Sequence, residues 1–273
     1  MTISDADLHR YARQLILPNM DEGLQSRIKK ASVVVVGAGG IGCPVILYLA
    51  AAGVGTLTVI DGDKIEASNL NRQIAFSDDD LGKPKARVAQ ARAQSLNRDC
   101  AVMAVEAWLD GDNAEHVLTS PSTPTIIVDT TDQPITRSHI NRVCHKAGLP
   151  LVFVSAIRLE GQLASFTSGV RHNDLPSPSP SPCLACAFPE LATPESAEAH
   201  ASPLSRCDEV GVLGAITGVL GSMAALEALR LIVAPQKPFG ESLIGKLMLF
   251  DGRDPYMRVI AIKKRTDCPV CGA

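Results

Sequence analysis

A chain of 273 residues that is 46% hydrophobic has enough apolar content to fill an extended α/β core. Its 26 basic and 29 acidic residues leave a formal net charge of −3, which lacks the basic footprint that holds nucleic acid, so no nucleic-acid partner is expected. Met1 to Asp7 is polar and acidic with no apolar signal core, so a cytoplasmic location is expected, with the eight cysteines as reduced thiols or metal ligands.

Residues 1–30 are predicted to form a polar N-terminal helical arm, because Leu8, Tyr11, Leu15, Leu24 and Ile28 recur at helical spacing among charged residues. Ala31 to Val36 is an unbroken run of mainly β-branched residues and predicts a strand buried on both faces, as in a parallel sheet. Gly37-Ala-Gly39-Gly40-Ile-Gly42 follows, then a helix over Ile41 to Ala52 with Pro44 in its first turn and Gly53 closing it. Further strands are expected at Thr56 to Ile60, Ala101 to Ala107 and Thr125 to Val128, alternating with helices over Ala86 to Ser95 and about Ile135 to Ala147. This alternation predicts a Rossmann-like, doubly wound α/β sheet with a parallel first half. Leu151 to Ile157 and Gly161 to Phe166, joined by a short polar turn, predict an antiparallel extension, and Leu247 to Phe250 with Arg258 to Ile262 a terminal hairpin. The apolar stretch Val210 to Ala234 is interrupted by Glu227 and Arg230, which favours a buried helix with that pair where it surfaces over a membrane span. Residues from about 171 to 206, a Ser-Pro run continuing into polar Ala- and Pro-rich sequence, are expected as a long mobile loop interrupted by the first cysteine knuckle, Cys183-x-x-Cys186. Residues 31–273 would then make one domain.

The glycine turn between a strand and a helix offers backbone N–H groups and a positive helix end to phosphate, and Asp61 at the end of the second strand suits ribose hydroxyls. Alone, this pattern favours a dinucleotide. The residues after Asp61 point elsewhere, because Asp63, Ser68-Asn69-Leu70-Asn71-Arg72-Gln73 and Gly82-Lys83-Pro84-Lys85 add a cationic set that nicotinamide chemistry does not need. Arg72 and Lys85 are suited to holding a departing pyrophosphate. Asp129 and Asp132 follow the fourth strand at the carboxyl edge of the sheet, where one of them can hold Mg²⁺ through oxygen.

Cys183-x-x-Cys186 and Cys268-x-x-Cys271 can close one tetrahedral zinc site. Their long separation means the metal would staple the C-terminal tail onto the middle of the chain. Cys43, Cys100 and Cys144 fall in predicted elements and are expected in the core. Cys207 precedes a glycine-rich helix, where a helix N-terminus would favour the thiolate; a partly buried cysteine without chemistry is the alternative.

Arg10-Tyr11-x-Arg13-Gln14, GAGGIGCP, Asp61-x-Asp63 with SNLNRQ, GKPKA, DTTD, the two CxxC pairs, Gly211-Val-Leu-Gly214 and Leu226-Glu227-Ala-Leu229 together resemble the E1-like adenylyltransferase family of ThiF, MoeB and HesA proteins, over nearly the whole chain and in the same order. The resemblance implies an enzyme that uses MgATP to adenylate the C-terminal glycine of a small ubiquitin-like sulfur carrier ending in Gly-Gly, for molybdopterin- or thiamine-type cofactor synthesis. It implies that Gly40 and Gly42 line the nucleotide, Asp61 binds ribose, and Asn69, Arg72 and Lys85 hold the phosphates. It further implies that Asp129 binds magnesium, that Asp132 and Gln133 flank the adenine pocket, and that Arg13 reaches across a homodimer. A cysteine in the region of Cys207 attacks the activated carrier or a persulfide in some relatives. Gln133 stands where the family usually has Asn, and Ala215 where it has Pro. The persulfide donor is expected to be a separate protein. An NAD(P)-dependent oxidoreductase and an inactive carrier-binding scaffold are the competing readings; the first leaves Arg72, Lys85 and the knuckles unexplained, the second predicts lost phosphate ligands that are present.

Overall fold

Runs of β-branched residues supply a sheet, and the segments between them supply its covering helices. The computed structural model describes residues 3–120, 123–169, 181–199, 210–254 and 256–272. The N-terminal part comprises α1 (Asp5–Arg10), α2 (Ala12–Leu15) and α3 (Glu22–Lys30), followed by β1 (Ser32–Val36), α4 (Gly42–Ala52), β2 (Thr56–Ile60), α5 (Lys85–Leu96) and β3 (Ala101–Val105). Then come α6 (Ala114–Thr119), β4 (Ile126–Asp129), α7 (Pro134–Ala147), β5 (Leu151–Ile157) and β6 (Glu160–Phe166). The C-terminal part adds α8 (Leu184–Ala187), α9 (Pro194–Ala199), α10 (Gly214–Val233), β7 (Lys246–Asp251) and β8 (Met257–Ala261).

The strands form one sheet in the order β3-β2-β1-β4-β5-β6-β7-β8. Its β3 to β5 half is parallel and β6 to β8 are antiparallel, as the sequence predicts. Side chains alternate across the sheet: Val33 and Val35 join Ile46 and Leu49 of α4 and Leu220 of α10 on one face, while Val34 and Val36 join Leu118 of α6 and Ile140 of α7 on the other. Covering both faces is what makes β1 apolar from Val33 to Val36. Because β1 pairs with β2 on one side and β4 on the other, the chain reverses its winding there, and a crevice opens above the carboxyl ends of β1 and β4.

The N-terminal arm packs on the C-terminal ends of α4 and α5, where Gln14 Nε2 donates to Ala52 O at 3.2 Å and Asn97 Nδ2 to Tyr11 Oη at 2.9 Å; within the arm, Lys29 of α3 pairs with buried Asp7 of α1 at 2.7 Å. Three expectations are corrected. Ser181 to Ala199, read as part of a mobile loop, forms α8 and α9 with Leu184, Leu191 and Ala197 buried, because a few small apolar residues at the right spacing suffice to dock on α7. The rest of that expected loop, and Cys207, lie outside the described residues. The strand expected to reach Ala107 stops at Val105, after which the chain turns. Finally, Glu227 does not surface: it is fully buried, accepting from Ser165 Oγ and Leu243 N at 2.6 Å each and from Arg230 at 3.3 Å. These bonds satisfy a charge inside α10, which packs on α4, β5 and β6 and is, among the described residues, the one helix long and apolar enough to cross a membrane.

Candidate active site

The crevice above β1 is a cleft of about 780 Å³ lined by the glycine turn, the segment after β2, the Thr130–Gln133 turn and the start of α10. Gly42 begins α4 so close to the turn that a Cβ there would lie 2.0 Å from Gly37 O, so a side chain is impossible and the helix end stays bare. As at any helix start, the first N–H groups have no intrahelical partner and can face an anion. Asp61 binds back to this turn, its Oδ2 accepting from Ala38 N at 2.7 Å and its Oδ1 from Asp63 N at 2.8 Å. Each oxygen keeps a lone pair for a ribose hydroxyl. Burial pushes the Asp61 carboxyl up, against the two backbone bonds and Lys85.

The phosphate half of the cleft collects the predicted cations. Lys85, buried in the first turn of α5, pairs through Nζ with Asp63 Oδ2 at 2.9 Å, so Asp63 holds the ammonium in place. Arg72 is half-buried and donates to Ser68 O at 2.9 Å and Asn71 Oδ1 at 3.2 Å. Asn69 is buried and accepts from Glu66 N at 3.2 Å, fixing the turn that carries Arg72. Gly40 and Thr217 meet across the cleft, a contact that brings the first turn of α10 against the glycine turn. Sequence reasoning missed Thr217, since nothing local marks a threonine in an apolar helix as lining a site.

Asp129 ends β4 and is fully buried beneath the turn, while Asp132 and Gln133 are exposed and line the cleft itself. Thr131 donates to Asp129 Oδ1 from its N–H at 3.0 Å and its hydroxyl at 2.7 Å, but Oδ2 has no partner. Burial raises the Asp129 carboxyl, more than Arg137 and the Thr131 bonds lower it. A lone carboxylate oxygen in this state is the donor a hard cation takes.

Arg137, also missed, bridges this turn to the rest of the fold. Its guanidinium donates to Thr131 O, from Nε at 3.1 Å, and sits 5.0 Å over the Phe153 ring, which lies 5.3 Å from Phe188 beside the first cysteine knuckle. One turn along α7, Asn141 donates to Cys183 Sγ at 3.8 Å and accepts from Leu184 N at 3.0 Å. A second cleft, of about 480 Å³, opens on the other side of Arg137 between β5, β6, β7 and the β7–β8 connection. Asp132, Arg137 and Ala156 line both clefts.

The four cysteines 183, 186, 268 and 271 come together as predicted. Their sulfurs all lie within 4.8 Å of one another, with Cys183 to Cys268 at 3.6 Å and Cys186 to Cys271 at 3.4 Å. A tetrahedron of Zn–S bonds of about 2.3 Å has edges of about 3.8 Å, so the set needs only small adjustment to close on one ion. All four are buried, and Arg265 N donates to Cys186 Sγ at 3.4 Å. The contact with Cys271, assisted by Asn141, lowers the Cys183 thiol, and the same contact pushes Cys271 up. Cys43, Cys100 and Cys144 are core thiols as expected, all raised by burial.

Arg13 is not brought into its own chain's cleft. It is exposed on α2, beside the C-terminal end of α4, whereas the glycine turn lies at the N-terminal end, eleven residues or roughly 16 Å away.

A parallel sheet with a bare helix start at its switch point, a carboxylate after its second strand and a buried ammonium beside it is the architecture of a nucleotide-binding α/β protein. The ThiF family model matches residues 11–270, and the chain belongs to this family. It is 39% identical over 266 residues to the "Sulfur carrier protein adenylyltransferase" of Thermus thermophilus, covering 97% of this chain and 91% of that one. It is also 39% identical to the "Adenylyltransferase and sulfurtransferase MOCS3" of Drosophila ananassae, covering 99% of this chain but only 55% of that longer one. Among solved structures, Escherichia coli MccB with MccA-N7isoASN superposes with a TM-score of 0.77 over 100% of this chain and 76% of that chain at 20% identity, a likeness of fold alone.

Proposed function

We propose that the protein binds MgATP in the cleft above β1 and adenylates the C-terminal glycine of a small ubiquitin-like sulfur carrier, for molybdopterin- or thiamine-type cofactor synthesis. The observation that carries this is the pair of clefts joined at Asp132, Arg137 and Ala156: one is furnished for a nucleotide, and the other is a groove in which an extended tail can lie with its end at the junction. The names and the near-full coverage of relatives such as the Thermus protein support the same assignment.

A C-terminal carboxyl has an ordinary pKa of about 3.3–3.7, so the nucleophile is already ionised at neutral pH and no general base is needed. Its oxygen bonds to the α-phosphorus as the bond to the bridging oxygen of pyrophosphate breaks, giving an acyl-adenylate. The glycine turn and Asp61 fix the nucleotide, Asn69 sets the turn that carries Arg72, and Arg72 and Lys85 offset the charge growing on the leaving group. Magnesium, held by Asp129 through its unpartnered oxygen, would supply further neutralisation of phosphate charge. Arg13, exposed on α2, would act from the partner in a homodimer, consistent with its distance from its own cleft. The cysteine cluster would hold one structural zinc, closed to water. Sulfur would reach the adenylate from a persulfide donor.

The test is ATP–pyrophosphate exchange with purified carriers ending in Gly-Gly. Exchange should appear with the cognate carrier and vanish when its last glycine is removed. Exchange that ignores this truncation, or none with any Gly-Gly carrier while NAD(P)H binds the cleft, would sink the assignment.

A further inference from the structure

We propose that the Trp108 indole is the stacking face for the adenine base. The inference rests on the reading that the cleft takes ATP, and it assigns the base end of that nucleotide, which the glycine turn and Asp61 leave open. With phosphates at the start of α4 and ribose at Asp61, the base must lie beyond Asp61, away from Lys85 and Arg72. β3 leads the chain to that point: Asp61 N donates to Val105 O at 3.1 Å, and Trp108 follows three residues later.

Trp108 lines the cleft and is 54% exposed, a large apolar surface to leave in water. One side of the ring packs on Gly62, where an added Cβ would fall 2.6 Å from indole Cδ1 and Nε1, so the residue after Asp61 has to be glycine for the ring to lie there. The neighbouring Leu109 is buried, and Asn113 Nδ2 donates to Trp108 O at 2.8 Å, with Asp110 N returning to Asn113 Oδ1 at 3.1 Å. The backbone is therefore pinned directly after the tryptophan, and at Val105 three residues before it. A fixed aromatic ring with a free face at the base end of a nucleotide cleft is suited to stacking on a purine, and it loses little freedom in doing so.

Trp108 is the sole tryptophan of the chain, so its emission reports this site alone. Titration with MgATP and with AMP should each quench or shift that emission saturably, whereas inorganic tripolyphosphate, which reaches only the phosphate half, should leave it unchanged. In pyrophosphate exchange, Trp108→Leu should raise KM for ATP about five- to tenfold, with a smaller fall in kcat, and Trp108→Phe should recover most of the loss. The phenylalanine variant also serves if the leucine protein does not fold. Calorimetrically verified ATP binding without any change in emission would overturn this proposal and leave the enzyme assignment standing. A KM for ATP unchanged in Trp108→Phe and Trp108→Leu would do the same. A failure of ATP to bind at all would overturn both.

Discussion

Asp129→Asn should make the protein more stable while abolishing its chemistry. In the folded state the Asp129 carboxylate is fully buried, and burial outweighs the field of Arg137 and the two Thr131 bonds, so its folded pKa is raised. For a carboxyl raised on folding, the native state binds more protons than the unfolded chain, and stability falls as pH rises from about 3.8 through the folded value. At neutral pH the metal-free protein therefore carries a penalty that a neutral side chain escapes. Asparagine keeps a carbonyl oxygen for both Thr131 donors and replaces the unpartnered charged oxygen by an amide group of the same size. Leaving one buried polar atom unsatisfied costs about 1–3 kcal/mol, more when it is charged, so the exchange should return roughly 1–2 kcal/mol. For a chain of this size that corresponds to a rise in Tm of about 2–6 °C. Calorimetry without magnesium or nucleotide at pH 7 should show the rise, and it should shrink toward pH 4, where the wild-type carboxyl takes up its proton. Pyrophosphate exchange should meanwhile fall by about a hundredfold or more, as when a main electrostatic group is removed from a transition state. A variant less stable than wild type at pH 7, or one with near-normal exchange at saturating MgATP, would refute the reasoning.

Purified protein should contain one zinc per chain, and Asn141→Leu, which removes the amide bond to Cys183 Sγ and the anchor for Leu184 N, should release it to a chromophoric chelator about 10–100 times faster; zinc-free folded protein with four titratable thiols at these positions would falsify the site. Mixing Arg13→Ala chains with Lys85→Ala chains should restore part of the exchange activity, since one cleft of the mixed dimer keeps both residues; no recovery after verified subunit exchange would count against action from the partner. Asp7→Asn should loosen the N-terminal arm: the Lys29 ammonium and the Ser4 bonds hold the Asp7 carboxyl at about 2, so its contribution is complete above about 3.8 and disappears as pH falls through 2. The loss should be about 1–2 kcal/mol by urea unfolding at pH 7 and absent near pH 2; an equal loss at both pH values would assign the effect to something other than this charge.

Amino-acid sequence alone determines the parallel half of the fold, because β1 and β2 are short strands rich in β-branched residues and helices of this half are bounded by residues with strong local preferences, such as Gly53 after α4 and Pro134 at the start of α7. It likewise makes the glycine turn, Asp61, Lys85 and the cysteine pairs legible, since their chemistry depends on residue type at fixed short spacing. Tertiary structure decided what depends on distant partners. Ser181 to Ala199 reads as loop because its few apolar residues are too sparse to show a period, and only the surface of α7 makes them core. Glu227 looks like a surfacing charge until Ser165 and Leu243, from elements far along the chain, supply its donors. Arg137, Thr217 and Trp108 enter the clefts for the same reason. Each is an ordinary residue in its own stretch of chain, and it acquires a role only where packing brings separate elements to one crevice.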